Sequence, residues 1–191
     1  MPGPRRSITE TEQAIQQRLG GLTLQREAMA AVGNIHRAAA AVRSHLENSV
    51  LRPHELTWTS FVVLWVLWIW DEAETWSVAE EAGISKGTLT GISRTLESRG
   101  LVTRSPHPED RRRVLLALTP KGEKLMEELF PAFNAEEAFV SAPLTPDQCL
   151  QLADSLRAIV SRLEEHGEQR RRELLEGENL TPRRSGRRPR P

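Results

Sequence analysis

The chain has 191 residues, with 26 Lys plus Arg balanced by 26 Asp plus Glu, one cysteine, five tryptophans and no tyrosine. That length supports one sizeable core with tails and leaves no room for a second, catalytic domain. A lone Cys149 excludes a disulfide framework within one chain and points to a reducing cytoplasm, and the N-terminal Met-Pro-Gly-Pro-Arg-Arg-Ser lacks the apolar core of a signal peptide.

A first long helix is expected from about Leu24 to Ser49, rich in alanine and arginine, until Pro53 breaks it. His36, His45 and His54 are nine residues apart, so each is turned half a revolution from the last and they cannot share one metal-binding face. Thr57 is placed to cap a second helix. Its stretch Phe61–Trp70 carries no charge and ends at Asp71-Glu72, well short of the ~20 residues that span a bilayer, so it is expected to be buried in protein. Trp58 and Trp65 lie on one face, Trp68 continues it and Trp70 points elsewhere. Core and dimer packing is the first account of this cluster, and an aromatic ligand cleft is the alternative.

Asp71, Glu72, Glu74, Glu80 and Glu81 then form an acidic patch. Ser77 and Glu80 have capping-box spacing for a short helix, Ala79 is small enough for a close helix crossing, and Gly83 suits the positive φ of a tight turn. Ser85 caps the next helix, on which Leu89, Ile92 and Leu96 form one buried stripe. Ser85, Lys86, Gly87, Thr88, Thr90, Gly91 and Arg94 are left facing outward or sideways. Gly87 and Gly91 cost helix stability and are best tolerated where something approaches the backbone closely.

Gly100 stands at a C′ position, followed by two apolar runs, 101–105 and 114–118, that read as a β-hairpin. Its tip, 106–113, combines stiffening prolines with Arg111, Arg112 and Arg113, and Asp110 is placed to hold one arginine. From Ser85 to Lys124 nine basic residues stand against four acids, so a neutral chain carries a local excess of five positive charges on a helix-turn-helix followed by a basic hairpin. That is DNA-binding architecture.

Thr119-Pro120 opens a further helix that Pro131 is expected to kink or interrupt, and Pro143 to Pro146 marks the next boundary. Beyond it Cys149, Leu152, Leu156, Ile159 and Leu163 form an apolar stripe that needs a partner helix. Cys149 is expected to be an inert, packed thiol. The last ten residues hold five arginines among prolines and a glycine and are expected to be disordered. There is no phosphate-cradling glycine loop, nucleophile elbow or zinc-ligand cluster, so no enzyme activity, metal or cofactor is expected.

Ile84-Ser85-Lys86-Gly87-Thr88-Leu89-Thr90-Gly91, Leu96-Glu97-Ser98-Arg99-Gly100-Leu101-Val102-Thr103-Arg104, Asp110-Arg111-Arg112-Arg113 and Leu118-Thr119-Pro120-Lys121-Gly122 resemble, in order, the MarR family of winged helix-turn-helix transcriptional regulators. The resemblance covers about residues 25 to 167. It implies a mainly α (α+β) fold, a winged helix-turn-helix with a helical dimerisation region built from N- and C-terminal helices. On it the chain divides into an extension (1–22), a first dimerisation helix and connection (23–56), the DNA-binding lobe (57–124), C-terminal dimerisation helices (125–167) and a basic, disordered tail (168–191). The implied function is a sequence-specific, ligand-responsive repressor that binds a pseudo-palindromic operator as a homodimer. Arg112 is then the groove-reaching wing residue, with Asp110 as its anchor.

Double-stranded DNA and a second copy of the chain are the implied partners, with no membrane. A small aromatic or anionic effector would meet Trp58, Trp65 and Trp68 with His36 or Arg43 as counter-charge. The competing readings are an architectural DNA-binding protein without effector and a winged-helix module for protein interaction.

Overall fold

The computed structural model describes residues 7–110 and 112–175. The elements are α1 (Ile8–Leu19), α2 (Arg26–Leu46), a π turn (Glu47–Leu51) and a 3₁₀ turn (Arg52–His54), then α3 (Trp58–Trp70), β1 (Glu72–Glu74), α4 (Thr75–Glu81) and α5 (Lys86–Ser98). They continue with β2 (Val102–Pro106), β3 (Val114–Leu118), α6 (Pro120–Ser141) and α7 (Pro146–Leu175). The chain forms two compact units, one through Ala41 and one from Val42 onward.

In the first unit, α1 lies within what the sequence marked only as an extension. Its start is a capping box: the Ser7 hydroxyl accepts the Glu10 N–H at 3.1 Å and the Glu10 carboxylate accepts the Ser7 N–H at 2.7 Å, which holds that carboxyl below its usual pKa. Arg37 on α2 reaches Glu12 on α1 at 3.6 Å, and Ile15, Leu19, Leu24 and Met29 line the groove between the two helices.

The second unit is organised around α3. Thr57 caps it, its hydroxyl accepting the Ser60 N–H, and Phe61, Val63, Leu64, Val66 and Leu67 are buried along its length. Trp58, Trp65 and Trp68 are half-buried and meet the phenylalanines of α6. Phe61 stacks on Phe133 at 4.3 Å between centroids and Trp65 on Phe130 at 4.8 Å, with Trp68 edge-on to Trp65 at 5.8 Å. Of the kink or interruption expected at Pro131, the interruption does not occur, and α6 continues through it. Proline removes one N–H and leaves the Glu127 carbonyl without its helical donor, but Pro131 is on the exposed side, while Leu129, Phe130 and Phe133 hold the helix on α3. The start of α6 is pressed against the chain that leads into β2. A Cβ on Gly122 would lie 2.1 Å from the Leu101 carbonyl oxygen, so this position admits only glycine.

Two further expectations are corrected. The three-stranded antiparallel sheet has the order β1-β3-β2, and β1, unseen in the sequence, pairs Glu72 with Ala117 and Glu74 with Leu115. That pairing holds the backbone extended up to Glu74, so α4 begins at Thr75 with Glu74 at the cap, and Ser77 falls inside the helix and forms no capping box. At the other end, α7 continues through Gly167 to Leu175 where a disordered tail was expected from residue 168. Arg170 with Glu173 at 3.1 Å, Arg172 with Glu168 at 3.5 Å and Arg171 with Glu168 are helical-spacing pairs that support the last turns. The arginine-rich end from 176 onward lies outside the described residues. No helix among those described is long and apolar enough to cross a membrane.

Replacing Gly122 by alanine is expected to lower unfolding free energy by about 1–3 kcal/mol, since the α6 start must back away from Leu101. Urea denaturation with an unchanged midpoint would show that this contact gives way freely.

Candidate nucleic-acid interface

Helices α4 and α5 end in the same way. After α4, the Gly83 N–H donates to the Glu80 carbonyl and the Ile84 N–H to the Ala79 carbonyl; after α5, the Gly100 N–H donates to Glu97 and the Leu101 N–H to Leu96. These are paired Schellman closures. Gly83 has φ of 65°, the left-handed conformation expected for the turn, and it releases the chain into α5 at a fixed angle.

On α5 the inward face is Leu89, Ser93 and Leu96, with Ile92 half-buried. Ser93 escaped the sequence reading because a lone serine next to an apolar stripe gives no signal. It is 1% exposed, donates to the Thr90 carbonyl at 3.2 Å and accepts from Arg104 of β2 at 3.2 Å, tying the helix to the wing strand. All seven expected contact residues, Ser85, Lys86, Gly87, Thr88, Thr90, Gly91 and Arg94, are on the opposite, exposed face. Ser85 caps the helix by accepting the Thr88 N–H at 3.1 Å, and its hydroxyl pairs with that of Thr88. The Thr90 hydroxyl folds back to the Lys86 carbonyl at 2.8 Å. Lys86 and Arg94 are therefore the long donors on a face that is otherwise short and flat. A methyl group added at Gly91 would have nothing within 4 Å, and one added at Gly87 would meet only the Ser85 hydroxyl, at 3.8 Å. No internal packing demands either glycine.

The wing pairs β2 and β3 in register from Val102–Leu118 to Pro106–Val114. At its tip Asp110 accepts the Arg112 backbone N–H at 3.0 Å and the Arg112 Nε at 3.1 Å, with Nη2 at 3.3 Å from the second oxygen. The Arg112 guanidinium, and then its backbone N–H, hold the Asp110 carboxyl below its ordinary pKa. The anchor is therefore present through neutral pH and is lost only as pH falls through that lowered value. The Arg112 side chain is 91% exposed, so the anchor aims it into solvent. Arg113 turns back instead: its Nε donates to Glu74 of β1 at 2.8 Å and its Nη2 to the other oxygen of the same carboxylate. Glu74 thus belongs to the wing, although the sequence grouped it with an acidic patch apart from it. Arg111 lies outside the described residues.

The three candidate ligand tryptophans come together in the α3–α6 ladder. Arg43 is exposed near Glu47 at 3.9 Å, and His36 is exposed on the first unit. His45 meets Glu136 of α6 at 2.5 Å and stacks on Phe139, and His54 offers its carbonyl to Arg99. Cys149 is half-buried on α7.

A family model for MarR matches residues 56–114, the stretch from the start of α3 to the start of β3. The uncharacterized HTH-type transcriptional regulator YwaE of Bacillus subtilis is 35% identical over 141 residues, covering 74% of this chain and 82% of that protein. The chain belongs to the MarR family. A mutant MarR from E. coli solved with operator DNA is similar at 25% identity and a TM-score of 0.64, covering 72% of this chain and 99% of that one. BpsR of Bordetella bronchiseptica, whose DNA binding is regulated by 6-hydroxynicotinic acid, is similar at 29% identity and a TM-score of 0.61, covering 68% and 98%. This MarR-family chain is a winged helix-turn-helix transcriptional regulator.

Because Gly91 has open space around it, Gly91→Ala is expected to stabilise the fold by about 0.5–1 kcal/mol through helix propensity while weakening DNA binding. Paired thermal melts and binding titrations check this; a variant that gains stability and keeps full affinity would show that no groove wall approaches Gly91.

Proposed function

We propose that this regulator is a homodimeric repressor, acting in the cytoplasm, that occupies a pseudo-palindromic operator and leaves it when a small aromatic or anionic molecule binds. The observation that carries the DNA half is the pairing, on one lobe, of an α5 face free of internal duties with an arginine held outward by its own carboxylate. Ser85, Lys86, Gly87, Thr88, Thr90, Gly91 and Arg94 enter a major groove, and Arg112, anchored by Asp110, reaches the adjacent minor groove. In a dimer the half-sites lie about one helical turn apart.

The dimer is supported by α7. Leu152, Leu156, Ile159, Val160 and Leu163 are all more than one-third exposed in the single chain, a continuous apolar stripe with no partner among the described residues. The effector half is supported by the aromatic carboxylate that regulates BpsR and by the half-buried tryptophans of α3, for which Arg43 is the proposed counter-charge. An effector shifts the protein off DNA only by binding the non-DNA geometry more tightly.

Selection of bound duplexes from a randomised pool is expected to converge on an inverted repeat. Retention without convergence would favour an architectural protein. On that operator, Arg112→Ala is expected to weaken binding about tenfold, within the range for one groove-reaching cation, and to leave the dimer intact by sedimentation. Leu156→Asp is expected to shift sedimentation towards the monomer; an unchanged dimer would remove α7 from the interface.

A further inference from the structure

Glu74 is an acid inside a lobe that has to approach phosphates, and its carboxylate accepts three hydrogen bonds, as many as that of Asp110 at the wing tip. It faces Leu115 across the β1–β3 ladder, and Arg113, the residue just before β3, stands two positions from Leu115 and turns its side chain back onto Glu74. Both ends of the Arg113 fork are used, Nε on one carboxylate oxygen and Nη2 on the other. The Trp76 indole N–H, from the first turn of α4, donates to the same carboxylate at 2.7 Å. Glu74 is 16% exposed and Arg113 43%, against 91% for Arg112.

The Arg113 backbone closes the wing tip as well. Its N–H donates to the Asp110 carbonyl at 2.8 Å and its carbonyl accepts the His107 N–H at 3.0 Å. A continuous set of short contacts therefore runs from α4 through Trp76, Glu74 and Arg113 to the turn that holds Asp110 and Arg112.

We propose that Glu74 and Arg113 are positioning residues that set where the wing presents Arg112, Arg113 acting through Glu74 and not by meeting the duplex. The assignment rests on the wing reading given above, and it explains why two adjacent arginines differ: one is held outward by the tip and the other is spent on holding the tip. It also reverses the sign of a simple charge argument. Removing a carboxylate near phosphates should tighten binding if charge alone matters, and should weaken it if the carboxylate places Arg112.

The test is affinity for the selected inverted repeat at fixed salt, measured for Glu74→Gln, Arg113→Lys, Arg112→Ala and the double variant Glu74→Gln with Arg112→Ala. Glu74→Gln and Arg113→Lys are each expected to weaken binding about tenfold, the second although it keeps its charge, because lysine cannot supply the fork. The double variant is expected to bind no more weakly than Arg112→Ala alone, since both changes remove one contact. Tighter binding by Glu74→Gln would overturn the proposal, as would losses that add in the double variant, which mark general damage to the fold. If Arg112→Ala weakens binding but Glu74→Gln and Arg113→Lys match the parent, this inference alone fails. If Arg112→Ala matches the parent, the wing reading fails and the inference falls with it.

Discussion

The burial of α3 is the constraint on which the functional lobe depends. A helix that is apolar nearly all round cannot sit at a surface, and here it is enclosed by α4, α5, β3 and α6. Trp58, Trp65 and Trp68 meet the phenylalanines of α6, and the aliphatic side of α3 receives Val78 and Ala79 of α4 and Leu89 and Leu96 of α5 into one cluster. Each element that faces outward does so because its other side is committed to this helix.

Helix α5 shows what that commitment leaves free. Leu89, Ser93 and Leu96 face the core, and Ser93 adds a bond to Arg104 that couples the helix to the wing strand. The remaining face keeps little for itself: its threonine hydroxyls are satisfied by nearby backbone or by the cap, and its two glycines have no neighbour that excludes a methyl. Such a face suits close approach of a groove, with two long cationic side chains to reach base edges or phosphate. At the far end of α5, Arg99 donates to the carbonyls of His54 and Glu55 at 2.8 Å each, beside the left-handed Glu55, and Lys121 donates to the Arg99 carbonyl. The end of α5 is therefore tied both to the chain that leads into α3 and to the start of α6.

The terminal helices follow a different logic. The exposed stripe of α7 has no use for a protein that acts alone, and a second copy burying it is part of the proposed function. Length and local ion pairs make α7 a helix by itself, whereas its apolar residues acquire a role only in an assembly.

Local chemistry was enough to read much of this from the sequence. Thr57 and Ser85 as caps, Gly83 at the turn, the inward Leu89 and Leu96, the outward Lys86 and Arg94, the hairpin and an arginine held by Asp110 all depend on residues within a few positions of one another, and the family resemblance named that arginine as Arg112. The capping box of Ser7 and Glu10 is equally local in origin. What tertiary structure decided depends on distant pairs. Pro131 is tolerated because α3 holds the helix around it, Gly122 is required because Leu101 arrives there, and β1 exists because β3 gives three acidic-flanked residues a ladder to join. Composition placed Glu74 with the acids, and only the fold, by pairing β1 with β3 so that Arg113 just ahead of β3 reaches it, made it part of the wing: a sequence states the sign of each charge, but its partner is chosen by register.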